Sequence, residues 1–113
     1  MLKVLSVVFL AALVTPAAAQ FVGPGPTVTI TTVAEVANAR LDSDVTVVGH
    51  IVGSLGNGYY TFRDDTGEIR VEIDRDVWRR REVTGDMRLQ LTGEVERDRR
   101  GRYLDIDELI ILD

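Results

Sequence analysis

The residues best able to do chemistry crowd one stretch, Tyr59 to Asp74, which reads YYTFRDDTGEIRVEID. Asp64, Asp65, Glu68 and Asp74 offer oxygen ligands of the kind a hard cation takes. Their spacing misses the D-x-[DN]-x-[DN]-G calcium loop, and adjacent residues of a strand point to opposite faces. No metal and no cofactor is therefore expected. Nucleophilic catalysis lacks a candidate pair, because Cys is absent and Ser43 and Ser54 fall in turns without a nearby base. His50 is the only histidine and finds neither Cys nor a second His to complete a zinc site. Carboxylates are spread too evenly to single out an acid and a base. No catalytic residue is assigned, and the chain is not expected to be an enzyme.

A hairpin positions these charges. Apolar and polar residues alternate through YYTFRD, break at Asp-Asp-Thr-Gly, and alternate again through EIRVEID. Ile69, Val71 and Ile73 take one face, and Glu68, Arg70, Glu72 and Asp74 the other. Tyr60 and Phe62 are expected inward, with Tyr59, Thr61 and Arg63 outward. Ahead of the hairpin runs DVTVVGHIVGSL, a strand with Gly49 inside it, where a bulge or sharp coil is expected. Asn57-Gly58 supplies the turn between the two strands. Further on, MRLQLTGEVERD and YLDIDELIIL read as two more strands, with a second bulge near Glu108. Met87, Leu89 and Leu91 point inward in the first of them.

Two helices interrupt the β pattern. Thr32 and Glu35 match a capping box, and Val33, Val36, Ala37 and Leu41 follow at helical spacing, so a helix is expected from about Val33 to Arg40. RDVWRRREV reads as about two helical turns with Asp74 as N-cap, its Val77 and Trp78 plugging a barrel end and its arginines forming a solvated helix end. Five strands laid open would leave two edges, which closure removes. A coiled first strand and a helix after the third indicate an all-β chain with one or two short helices, folded as a five-stranded OB-fold barrel. OB-folds take ligands on the outer face of strands two and three, framed by two loops. Tyr59, Thr61, Arg63, Arg70 and Glu72 are therefore the candidate ligand-binding residues. The competing reading is a solvated face on which Arg63 and Arg70 pair with neighbouring carboxylates.

The N-terminus has a different character. Lys3 precedes an apolar stretch from Val4 to Val14, followed by Pro16 and Ala17-Ala18-Ala19, the order of a secretory signal peptide with cleavage after Ala19. About 11 apolar residues are too few to span a bilayer, which takes about 20. Residues 1–19 are thus expected to be removed, 20–31 to form a Gly/Pro-rich tether, and 32–113 the folded domain. The expected place is the periplasm, with no stable membrane insertion after cleavage. Of the 13 Lys and Arg, one is Lys3, so 12 Arg face 18 Asp and Glu in the mature chain, a net charge of −6. Such a domain repels phosphate backbones, and no nucleic-acid partner is expected. Without Cys, no disulfide supports the fold in an oxidising compartment.

Val45-Thr46, Gly49, Ile51-Val52, Tyr60, Phe62, Asp64, Thr66-Gly67, Ile69, Val71, Ile73-Asp74 and Trp78, with the order of leader, tether, helix and strands, resemble the bacterial OB-fold family of small exported stress-tolerance proteins. The resemblance covers the whole mature chain and is most specific from Tyr60 to Trp78. It implies a periplasmic, non-catalytic protein that binds a small charged or glycan-like ligand. An adaptor that contacts envelope proteins is the alternative. Oligonucleotide binding has the fold in its favour and the charge and compartment against it.

Overall fold

The computed structural model describes residues 27–113, so the leader and the first part of the tether, residues 1–26, lie outside the described residues. Thr27–Ile30 have no regular structure, and the Thr31 amide donates to the Thr46 carbonyl at 2.7 Å. The elements that follow are α1 (Val33–Val36), β1 (Asp44–Gly56), β2 (Tyr59–Asp64), β3 (Gly67–Ile73), α2 (Arg75–Trp78), β4 (Leu89–Asp98) and β5 (Gly101–Ile111). The strands close into a barrel in the order β1-β2-β3-β5-β4. All pairings are antiparallel except β3 with β5. This is the five-stranded OB-fold expected from the alternation.

The interior follows from that alternation. Val45 and Val47 of β1, Phe62 of β2, Val71 and Ile73 of β3, Leu89, Leu91 and Val95 of β4, and Leu104, Ile106 and Leu109 of β5 are buried. Ile69 and Met87 are half-buried against this core. Burying one such side chain contributes about 1.5–3 kcal/mol.

Glycine acts where strands come too close for a side chain. Gly49 is the last β1 residue paired with β4, opposite Leu89, and His50 is the first paired with β2, opposite Arg63. A Cβ on Gly49 would lie 2.1 Å from the Arg63 carbonyl oxygen. Gly49 thus marks the change of partner and not a bulge. The register shifts of β1 against β2 fall between Ile51 and Gly53 and between Ser54 and Gly56. The expected bulge in β5 is present, because Glu108 pairs with Thr92 and Ile106 with Gly93, leaving Asp107 as the extra residue. Asn57 and Gly58 have φ of 56° and 85°, the positive values their turn requires.

Both helices are shorter than their sequence patterns indicated. α1 starts at its capping box, with the Glu35 amide donating to the Thr32 hydroxyl and the Thr32 amide to the Glu35 carboxylate. It ends at Val36 and not Arg40, passing into a tighter turn in which the Ala39 amide donates to the Val36 carbonyl. The Arg102 guanidinium donates to the Val36 and Ala39 carbonyls and closes that end. α2 is a single turn because Arg79 and Arg80 turn left-handed, at φ 55° and 62°. Asp74 occupies its N-cap position without a side-chain capping bond. Arg81 is not a solvated cation of a helix end. It donates to the Val77, Trp78 and Leu109 carbonyls and ties α2 to β5. Val33 and Val36 of α1 seal one end of the barrel, Val36 at 0% exposure. Trp78 at the other end is half-buried, with its ring edge-on to Tyr60 at 5.3 Å.

Candidate functional site

The Asp-Asp-Thr-Gly turn joins β2 to β3 and ties α1 to the barrel. Asp64 Oδ1 accepts from the Thr66 amide at 2.7 Å, the Thr66 hydroxyl at 2.6 Å and the Gly67 amide at 3.2 Å. Its Oδ2 accepts from the Val33 amide at 2.8 Å, and the Thr66 hydroxyl accepts from the Ala34 amide at 2.9 Å. Two otherwise free amides at the start of α1 are thereby satisfied from across the chain. Burial alone would raise the pKa of Asp64. The Thr66 hydroxyl and the Val33, Thr66 and Gly67 amides outweigh it and hold the carboxyl below its ordinary value. The Asp64 oxygens, among those that suggested a cation ligand in the sequence, are engaged with the protein's own donors.

Beyond that turn the hairpin presents its polar face. Tyr59 stands opposite Glu72, Thr61 opposite Arg70, and Arg63 opposite Glu68. Arg63 pairs with Glu68 at 3.0 Å, with both side chains about half exposed, at 57% and 50%. Such a pair contributes about 0–1 kcal/mol. Arg70 is in a different situation. Its side chain is 11% exposed, and it donates to both oxygens of Asp98, at 2.9 and 2.6 Å, and to the Gly101 carbonyl at 3.3 Å. Its guanidinium carbon lies 5.2 Å from the Tyr59 ring centre and 4.6 Å from that of Tyr103. The two rings meet edge-on at 5.8 Å. Hydrogen bonding to Asp98 raises the Arg70 pKa further above an already high value.

Tyr59 and Arg70 of this stack floor a hollow of about 210 Å³, with Tyr103 packed beside them. Leu55, Gly56 and Asn57 of the β1–β2 turn wall one side, and Asp98 and Arg100 of the β4–β5 turn wall the other. The five expected residues therefore separate. Tyr59 and Arg70 line the hollow, Thr61 and Glu72 lie beside them in register, and Arg63 sits at the far end of the hairpin, paired with Glu68. Tyr103, Asp98, Arg100 and Asn57 were not among the candidate ligand-binding residues, and Asn57 was read only as part of a turn. Tyr103 had a signal, since Leu104 and Ile106 are inward and Tyr103 alternates with them. It joins the stack because β5 lies parallel beside β3, placing Tyr103 opposite Arg70.

Carboxylates extend the face past the stack. Glu72 is opposite Asp105, and Asp105 is opposite Glu94 on its other side. Burial, then the charges of Asp105 and Asp74, push the pKa of Glu72 up. Burial, then Asp74, Asp107 and Glu96, do the same for Asp105. A larger cleft of about 800 Å³ lies away from this face, between α2 and the end of β5. Arg81 inside it is committed to main-chain carbonyls. Among the described residues no group of three or more His, Asp or Glu is placed to hold a metal ion, and no helix is long and apolar enough to cross a membrane.

Residues 13–111 match the family described as bacterial OB fold (BOF) protein. The chain belongs to this family. Among BOF relatives, it is 42% identical over 90 residues to the calcium-regulated OB-fold protein CarO of Pseudomonas aeruginosa, covering 80% of this chain and 78% of that one. It is 32% identical over 80 residues to protein YgiW of Escherichia coli strain K12, covering 71% of this chain and 62% of YgiW. The solved structure of E. coli YgiW superposes with a TM-score of 0.72 at 31% identity, covering 82% of this chain and all of that one. Neither relative is named as an enzyme.

Proposed function

We propose that this BOF protein is a non-catalytic binding protein of the bacterial envelope. Its ligand is small and hydroxyl-rich or charged, a glycan fragment or a molecule of similar chemistry, and it sits on the Tyr59–Arg70–Tyr103 stack. One observation carries the reading: an ordered aromatic-cation floor between the β1–β2 and β4–β5 turns, where OB-folds hold ligands. Arg70 is already neutralised by Asp98, so the site does not attract an anion as a bare cation would. Tyrosine hydroxyls, the Glu72 carboxylate beside them and the exposed Arg100 offer donors and acceptors to a polyhydroxyl ligand. Export rests on the leader pattern of residues 1–19, and a role in envelope stress rests on kinship. An excess of carboxylates weighs against nucleic acid.

The test follows backbone amide shifts during titration with neutral and charged N-acetylglucosamine oligomers. Saturable shifts should centre on Tyr59, Arg70, Arg100 and Tyr103, and Tyr103→Ala should remove them while the barrel resonances stay in place. Shifts absent from this cluster, or unchanged in Tyr103→Ala, would overturn the assignment.

A further inference from the structure

A second cleft lies at the barrel end opposite α1, and its lining, unlike those of the two hollows described above, contains no acid. We infer that it binds a small organic anion with an aromatic body, an aryl carboxylate, independently of the ligand on the tyrosine–arginine stack. The cleft is open to solvent and offers about 640 Å³ between the distal half of β1 and the segment that joins α2 to β4. Ligand pockets commonly occupy about 300–1,000 Å³. Ile51, Tyr60, Trp78 and Val83 form its apolar wall. All four are half-buried against the core and keep a face toward the cleft. The Tyr60 and Trp78 rings meet edge-on, with an interplanar angle of 77°, so a flat aromatic guest can present an edge or a face to either.

The opening of the cleft comes from the strand itself. The register shift between Ile51 and Gly53 leaves Val52 without a β2 partner, and Val52 is 40% exposed. Gly53 follows, and a Cβ there would meet nothing within 4 Å. The missing side chain leaves the mouth clear.

Charge decides the class of guest. The chain carries 18 acids, yet none lines this cleft, and its single charged lining residue is Arg63. The Arg63–Glu68 pair is half exposed on both sides, so the guanidinium can exchange Glu68 for a ligand carboxylate at little cost. An apolar body against the ring wall and one carboxylate toward Arg63 match the lining.

The indole of Trp78, the only tryptophan, gives a single resonance inside the cleft. The probes are naphthalene-2-carboxylate and its neutral counterpart naphthalene-2-carboxamide, added separately to the mature protein. The carboxylate should shift the Trp78 indole, Gly53 and Gly85 amides saturably and leave Tyr59 and Tyr103 unmoved. The carboxamide should bind about fivefold more weakly, the scale of one exposed charge contact. Arg63→Gln should erase that preference. Gly53→Leu, which grows into open space without a positive φ to resist it, should keep the fold and abolish both titrations. Equal binding of the two probes, a preference that survives Arg63→Gln, binding that survives Gly53→Leu, or shifts centred on Tyr59 and Tyr103 would each overturn the assignment.

Discussion

Arg70 is held by both oxygens of Asp98, by the Gly101 carbonyl and by two tyrosine rings. A guanidinium in that setting is a structural joint as well as part of a binding floor, since it links β3 to the β4–β5 turn. Its removal takes the cation from beside both rings and leaves Asp98 with only the Arg100 amide. Arg70→Ala should therefore lower stability by about 1–2 kcal/mol, and Arg70→Lys should not restore it, because a point charge cannot make a bidentate pair and stack at once. Arg63→Ala, in a half-exposed pair, should cost about 0.5 kcal/mol or less. Chemical denaturation of the three variants checks this, and equal losses for Arg63→Ala and Arg70→Ala would refute the distinction. In the sequence both arginines occupy the polar face of the hairpin two residues from an acid and read alike. Their difference lies in Asp98 and Tyr103, which arrive from parts of the chain that strand alternation does not relate to β3.

At the level of elements, the Asp-x-Thr-Gly turn and α1 stabilise each other. A four-residue helix has too few internal bonds to persist alone. Here α1 borrows Asp64 and Thr66 for its Val33 and Ala34 amides, Arg102 for its carbonyls, and the barrel for its two valines. Asp64→Ala should release the turn and the helix start together, costing about 1–2 kcal/mol, with the loss of hydrogen-exchange protection confined to α1 and residues 64–67. Protection lost evenly over the barrel would count against this local coupling. The capping box, the Asn57-Gly58 turn, the five strands and the bulge near Glu108 were all legible, because each is a local rule about backbone donors or side-chain alternation. The helix lengths were not. α2 stops because Arg79 and Arg80 adopt left-handed backbone and Arg81 turns back to carbonyls of α2 and β5, a tertiary bargain that helical periodicity does not encode.

Across the whole molecule, acid dominates, with a formal net charge of −5, and three carboxylates, Glu72, Asp105 and Asp64, pull stability in opposite directions with pH. Glu72 and Asp105, pushed up by burial and by neighbouring acids, bind a proton more tightly folded than unfolded. Stability should fall as pH climbs through their raised values, above the ordinary 4.5 and 3.8. Asp64, held below 3.8, contributes stability that is present above that value and lost as pH falls beneath it. The melting midpoint should therefore rise as pH drops from neutral into the ordinary carboxylate range and fall again below about 3.8. Glu72→Gln with Asp105→Asn should flatten the upper limb, and Asp64→Asn the lower. A midpoint that only declines from neutral pH would refute it. By itself the sequence determined the barrel, its inward residues and the family, because alternation, turn chemistry and motif spacing are properties of adjacent residues. Tertiary structure alone decided that Asp64 caps a helix, that Arg70 is clamped while Arg63 stays in a half-exposed pair, and that the aromatic cleft beside Trp78 holds no acid. Each of these depends on which distant segments the closure of the barrel brings within hydrogen-bonding or van der Waals reach.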